Sequence, residues 1–140
     1  MMSVRKNSKG FTLIELVLVI TILGILAVAA LPSFINVSTQ ARQASRDGVT
    51  GAVRSGIALF RANDLVVNGP PGIYPTTLDS ASNAVAGPAN LIFTNILSQG
   101  VADNRWTRVS DTSYTYNDGT STFTYTYAPA SGSFVSPTAP

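Results

Sequence analysis

The chain has no cysteine and no histidine, one glutamate, and no lysine beyond position 9. Without cysteine there is no disulfide, so a small domain outside the cytoplasm must be held by packing, by assembly or by an ion. Without histidine or cysteine, most general-base, thiolate and zinc schemes lack their parts, and the lone Glu15 lies in an apolar run. A serine or threonine nucleophile activated by lysine is excluded as well, because Lys6 and Lys9 sit in the first ten residues. The expectation is a protein that is not an enzyme, with no catalytic residue, no cofactor and no metal site. Asp103, Asp111 and Asp118 are the nearest approach to a calcium set, but no EF-hand-type loop surrounds them, and solvated surface carboxylates are the simpler reading.

Charge is scarce too. Only 11% of the 140 residues are charged and 45% are hydrophobic, which suits one small domain plus a membrane segment. A net charge of +2 and a pI of about 9.2 invite a nucleic-acid reading until the charges are placed. Arg5, Lys6 and Lys9 all lie within residues 1–10; beyond them six arginines face seven carboxylates, a net −1. No specific nucleic-acid contact is predicted. The basic start instead fits a cytoplasmic N-terminus under the positive-inside rule.

What the chain does have is an apolar stretch over residues 11–31, long enough for a helix to cross a bilayer. Glu15 interrupts it. A carboxylate at the hydrocarbon centre costs roughly 2.5 to 3.5 kcal/mol on insertion scales, so an acid inside a span points to function and requires a partner. A cut between Gly10 and Phe11 would create an amino group one helical turn from Glu15, since four residues rise about 6 Å. Within one chain that pair would be local; in an assembly Glu15 would instead meet the amine of a neighbour and fix the axial register of subunits, the best-attested use of a buried ion pair.

Lys9-Gly10-Phe11-Thr12-Leu13-Ile14-Glu15-Leu16, followed by Ile22-Leu23-Gly24-Ile25-Leu26-Ala27 and then Pro32, resembles the start of a type IV prepilin. The strong similarity covers residues 9–34. A looser likeness to pilins of the mannose-sensitive haemagglutinin type runs over residues 32–59. The resemblance implies cleavage after Gly10 by a prepilin peptidase of the inner membrane, N-methylation of Phe11, and Glu15 as the register carboxylate. It also implies membrane lipid as the partner before assembly, then an inner-membrane assembly platform and a helical homo-oligomeric filament serving adhesion, motility or DNA uptake. Pseudopilins of type II secretion systems share the junction, so a short periplasmic piston for protein export is an alternative to an extracellular pilus. A monomeric membrane-anchored binding domain is another, with Glu15 snorkelling to the interface. An ordinary signal peptide cut near Ala27-Val28-Ala29 is a further reading, against which Glu15 and the patterned helix beyond Ala29 both argue.

The chain divides into a leader over 1–10, a transmembrane and assembly helix over 11–32, its amphipathic continuation over 33–67, and a globular region of loop and antiparallel sheet over 68–140. The fold class is α+β, the long helix packing on a small sheet as in pilins. Phe34, Val37, Ala41, Ala44, Val49, Ala52, Val53, Ile57 and Phe60 recur at helical spacing, and Arg42, Arg46, Arg54 and Arg61 are expected on the opposite surface. Phe11, Phe34 and Phe60 need no electron-transfer role, since the apolar stripe explains them. Pro32 removes a helical N–H and predicts a kink. Ala44, Gly48, Ala52 and Gly56 form a small-residue row for close packing, either on a neighbouring helix or on the chain's own sheet.

Asn68-Gly69-Pro70-Pro71-Gly72 ends the helix. Tyr74-Pro75-Thr76-Thr77 resembles the loop after the long helix in pseudopilins, and Thr76 or Thr77 is expected to cap a short turn near Asp79. Gly87-Pro88 is expected to open a helix reaching about Ser98, with Leu91, Ile92, Ile96 and Leu97 facing inward. Alternating tyrosines and threonines around Asn117-Asp118-Gly119-Thr120 predict a hairpin, with further strands over 105–109 and 133–135, Trp106 in the core and residues 136–140 as a tail.

Overall fold

Helix formation begins at Thr12, whose side chain and that of Glu15 satisfy each other's first-turn N–H groups, and it ends where Gly69 adopts a left-handed φ of +83°. Between them runs α1, Leu13–Asn68. Gly69 N–H closes the end by donating to the Leu65 carbonyl at 3.1 Å. The computed structural model describes residues 10–136; the expected leader up to Lys9 and the tail from residue 137 lie outside the described residues. Pro32 lies inside α1 without ending it. The described residues fall into two compact units that divide between Thr39 and Gln40.

In the first unit the large apolar side chains from Leu13 to Leu31 are all exposed. This stretch is long and apolar enough to cross a membrane. Thr21 hides its hydroxyl by donating to the Val17 carbonyl at 2.7 Å, the usual device for a polar side chain in an apolar helix.

The second unit carries an antiparallel meander of four strands, β1 Trp106–Ser110, β2 Ser113–Asn117, β3 Thr122–Ala128 and β4 Ser133–Val135, in that spatial order. Period-two alternation buries Trp106, Tyr114, Tyr116, Tyr125, Tyr127 and Phe134 and leaves Thr122, Thr124 and Thr126 in solvent. Tyr125 stacks on Phe134 at 5.4 Å, and Trp106 lies 4.9 Å from Tyr125 and 5.2 Å from Tyr116, so the sheet's inner face is an aromatic cluster. Val53 and Ile57 of α1 close it from the other side. The turn at Asn117 to Ser121 forms as expected, with Asp118 accepting from Thr120 and Ser121 N–H at 2.7 Å each and Gly119 at φ +94°.

Two expectations about the segment between α1 and β1 fail. Residues 87–98 hold no helix: Gly87 and Asn90 bond to each other across a tight turn, and Phe93 adopts φ +61°, a left-handed conformation that a helix cannot pass through. Asn90 also donates its amide to the Ala84 and Val85 carbonyls, holding the chain in loop form. Leu91 is exposed, whereas Ile92 is buried and Ile96 and Leu97 are partly so. The turn near Asp79 is held by the Asp79 carboxylate, which accepts from Ala81 N–H, and not by Thr76 or Thr77; Thr77 instead accepts from the Asn95 amide.

Candidate functional site

The residues singled out at the N-terminus occupy one turn. Gly10 and Phe11 precede the helix as exposed, irregular backbone, and Phe11 is 88% exposed. Thr12 N–H donates to Glu15 Oε2 at 2.8 Å and its hydroxyl donates to the same oxygen at 2.7 Å, while Glu15 N–H donates back to Thr12 Oγ1 at 3.3 Å. This is a capping box, in which two otherwise orphaned donors are satisfied reciprocally. With residue 10 still joined to residue 11, the carboxylate therefore has a local partner in Thr12. Sequence reasoning overlooked Thr12, although the spacing Thr-x-x-Glu before an apolar run is the signature of such a cap.

The row Ala44, Gly48, Ala52 and Gly56 splits. A Cβ on Gly56 would stand 2.6 Å from the Ile96 carbonyl oxygen, so this glycine admits the chain's own loop. Around Gly48 and Gly51 a Cβ would meet nothing within 4 Å, and Ala44 and Ala52 are exposed. With Ser55, Ala58, Leu59, Ala62 and Val66 they make a solvent-facing helix surface without a charged residue. A water-soluble helix ordinarily places its charges on that surface.

The arginines expected there are on the domain side. Arg42 Nη1 donates to the Asp118 carbonyl at 2.7 Å, Arg46 lies over the Phe123 ring at 4.5 Å, and Arg54 Nε donates to the Phe134 carbonyl at 3.0 Å. Arg61 covers the Tyr74 ring at 4.7 Å and bonds its hydroxyl. Arginine can do this because its long apolar stem packs while the guanidinium satisfies carbonyls and ring faces at the rim. An Arg–carbonyl bond at Phe134 also covers part of the β4 edge. Helical spacing puts these arginines opposite the apolar stripe only if each is a solvated charge, whereas the sheet and loop offer them carbonyls and rings.

Tyrosine hydroxyls supply the matching ties: Tyr116 to the Arg42 carbonyl at 3.0 Å, Tyr127 to the Pro75 carbonyl at 2.6 Å, and Tyr114 to Asp79 Oδ2 at 2.9 Å. Burial pushes all three phenols above the ordinary tyrosine range, and for Tyr114 the neighbouring negative charge of Asp79 adds to the effect. Asp103, Asp111 and Asp118 do not gather: Asp103 caps the β1 approach, Asp111 pairs with Arg108, and Asp118 shapes the β2–β3 turn. Backbone donors at Ser121 and Thr120 hold the Asp118 carboxyl below the usual carboxylate range. Among the described residues no group of three or more His, Cys, Asp or Glu side chains is placed to hold a metal ion.

A long apolar N-terminal helix followed by a small antiparallel sheet is the α+β arrangement of the pilin fold, and comparisons with known proteins agree. Residues 5–31 match the family model described as the prokaryotic N-terminal methylation motif. The chain is 51% identical over 53 residues to the type IV narrow pilus major component PilA5 of Thermus thermophilus, covering 38% of this chain and 46% of that protein. It is 30% identical over 122 residues to the fimbrial protein EcpC of Eikenella corrodens, covering 82% of this chain and 80% of that one. No solved structure matches the chain. The chain belongs to the type IV pilin superfamily. Its methylation motif and apolar helix mark a membrane-anchored precursor of a subunit that later resides in a pilus.

Proposed function

We propose that this chain is made as a prepilin, cut after Gly10 by a prepilin peptidase, N-methylated at Phe11, and polymerised by an inner-membrane platform into a helical filament. The observation that carries the reading is Glu15, the one carboxylate of the first unit's helical stretch, one turn beyond the Gly10–Phe11 junction, where the large apolar side chains from Leu13 to Leu31 are exposed. Lipid satisfies those side chains before assembly, and other copies of the same helix replace lipid afterwards. Cleavage would add a cationic amine within reach of the carboxylate that Thr12 now holds. Exchange from Thr12 to the amine of a neighbouring subunit would give each new copy one axial register.

The uncharged surface through Ala44, Gly48 and Ala52 supports a second stretch of close helix approach, with Gly56 given over to the chain's own loop. Pro32 marks a place where the helix lacks one hydrogen bond and can yield as copies pack. The filament serves adhesion, motility or DNA uptake. The two relatives, a pilus component and a fimbrial protein, favour a pilus over the pseudopilus of a secretion system.

The test is Glu15→Val in the native host. Processed protein should reach the membrane at normal levels, while filament yield falls on the order of tenfold or more once the register partner is gone. Wild-type filament yield would contradict the assigned role.

A further inference from the structure

Residues 69–105 join α1 to β1 without a helix or a named strand, and are held by isolated bridges, tight turns and a few side-chain ties. An unstructured connection of this length in a small domain is unusual and commonly has a job of its own. Its polar ties converge on Asp79, which is 1% exposed. The carboxylate accepts from Ala81 N–H at 3.2 Å and from Phe93 N–H at 3.0 Å, which locks the two limbs of the segment together. It also accepts from the Tyr114 hydroxyl of β2 at 2.9 Å, and Arg108 Nε of β1 stands 2.7 Å from its other oxygen. That last contact is an ion pair whose N–H is not aimed along it. Arg108 spends its remaining donors on Asn83 of the same segment and on Asp111.

We infer that Asp79 is the catch of a strap: when it lets go, the segment around residues 78–97 leaves the sheet as one unit while helix and hairpin stay folded. One observation makes the release local. The aromatic cluster of Trp106, Tyr116, Tyr125 and Phe134 closes on itself, with ring contacts of 4.9 to 5.4 Å that do not involve the strap. The strap contributes Leu78, Ala86, Ile92 and Phe93 to the core, Phe93 lying 5.6 Å from Trp106, 4.6 Å from Tyr114 and 5.9 Å from Phe134, and its backbone is tied to the β1 main chain at Ala84 and Ala86. Removing one partner of a buried, hydrogen-bonded ion pair is far more damaging than losing a surface contact, so a fastening centred on one carboxylate opens cooperatively. The open strap vacates an aromatic seat ringed by Trp106, Tyr114 and Phe134. The chain has no cysteine, so this catch holds by charge and hydrogen bonds alone and is reversible.

Native-state hydrogen exchange on the full chain in detergent micelles tests this, comparing wild type with Asp79→Ala and Tyr114→Phe. Asp79→Ala should speed exchange over residues 78–97 by about 100-fold or more, while amides of β2 and β3 change by less than about threefold. Tyr114→Phe removes one donor and leaves the ion pair, so the same residues should quicken by about fivefold. Where Asp79→Ala yields no folded protein, Tyr114→Phe decides alone. Acceleration spread evenly over strap, helix and hairpin, or none confined to the strap, overturns the inference.

Discussion

The two ends of the long helix solve opposite problems with the same backbone. In the first unit nothing described is buried, and the side chains from Leu13 to Leu31 are complementary only to hydrocarbon or to one another. In the second unit Val53 and Ile57 are sealed under an aromatic sheet, four arginines of α1 bond carbonyls or cover rings at the rim, and three tyrosine hydroxyls make ties beneath it. One region is covered by its own chain; the other leaves its large apolar side chains uncovered. Substitutions in the two regions should therefore report on different quantities.

The largest contrast is between apolar truncations. Trp106→Ala removes a fully buried ring and should cost about 3 to 5 kcal/mol of domain stability, read by denaturant unfolding in detergent. Leu23→Ala, on the exposed helix, should leave that unfolding curve in place and lower filament yield instead. A shifted curve for Leu23→Ala would mean that the first unit is buried by its own chain after all.

A finer contrast uses two glycines eight residues apart on α1. Gly56→Ala forces a Cβ against the Ile96 carbonyl and should cost about 1 to 3 kcal/mol. Gly48→Ala meets open space and should gain about 0.5 to 1 kcal/mol in helix propensity, measured the same way. In filaments the larger Gly48→Leu should impair packing that the monomer tolerates. Equal effects at the two positions would remove the distinction between self-packing and copy-packing faces.

The smallest expected effect is alkaline. Tyr114, Tyr116 and Tyr127 have phenols raised above the unfolded value of about 10, so the folded state favours their neutral form. Their contribution to stability is complete below the unfolded value and is lost as pH rises above it. Tyrosinate absorbance from these residues should appear together with loss of the folded circular dichroism signal. Smooth ionisation of all tyrosines before any unfolding would contradict the burial of their hydroxyls.

Much of this was legible from residue pattern. Tyrosine and threonine alternating about Asn117 to Thr120 specify a hairpin with one apolar face, and the apolar run with Pro-Pro-Gly beyond it bounds the helix. Glu15 was conspicuous because a charge in an apolar run has few explanations. Other features depend on tertiary context. The helix expected over residues 87–98 was suggested by Gly-Pro at its start, but Phe93 turns left-handed where its amide meets the Asp79 carboxylate fourteen residues away. The arginines of α1 look like solvated charge until a sheet supplies carbonyls and rings to receive them. Asp79 itself lay in an unremarkable loop, since nothing local announces a carboxylate whose donors come from three separate parts of the chain.

The most direct test of the central claim, that the finished subunit begins at a new amine beside Glu15, is the mass of the N-terminal peptide from purified filaments. A peptide starting at N-methylated Phe11 is the predicted result. Filaments built from chains that keep Met1, or that begin at Ala30, would contradict it.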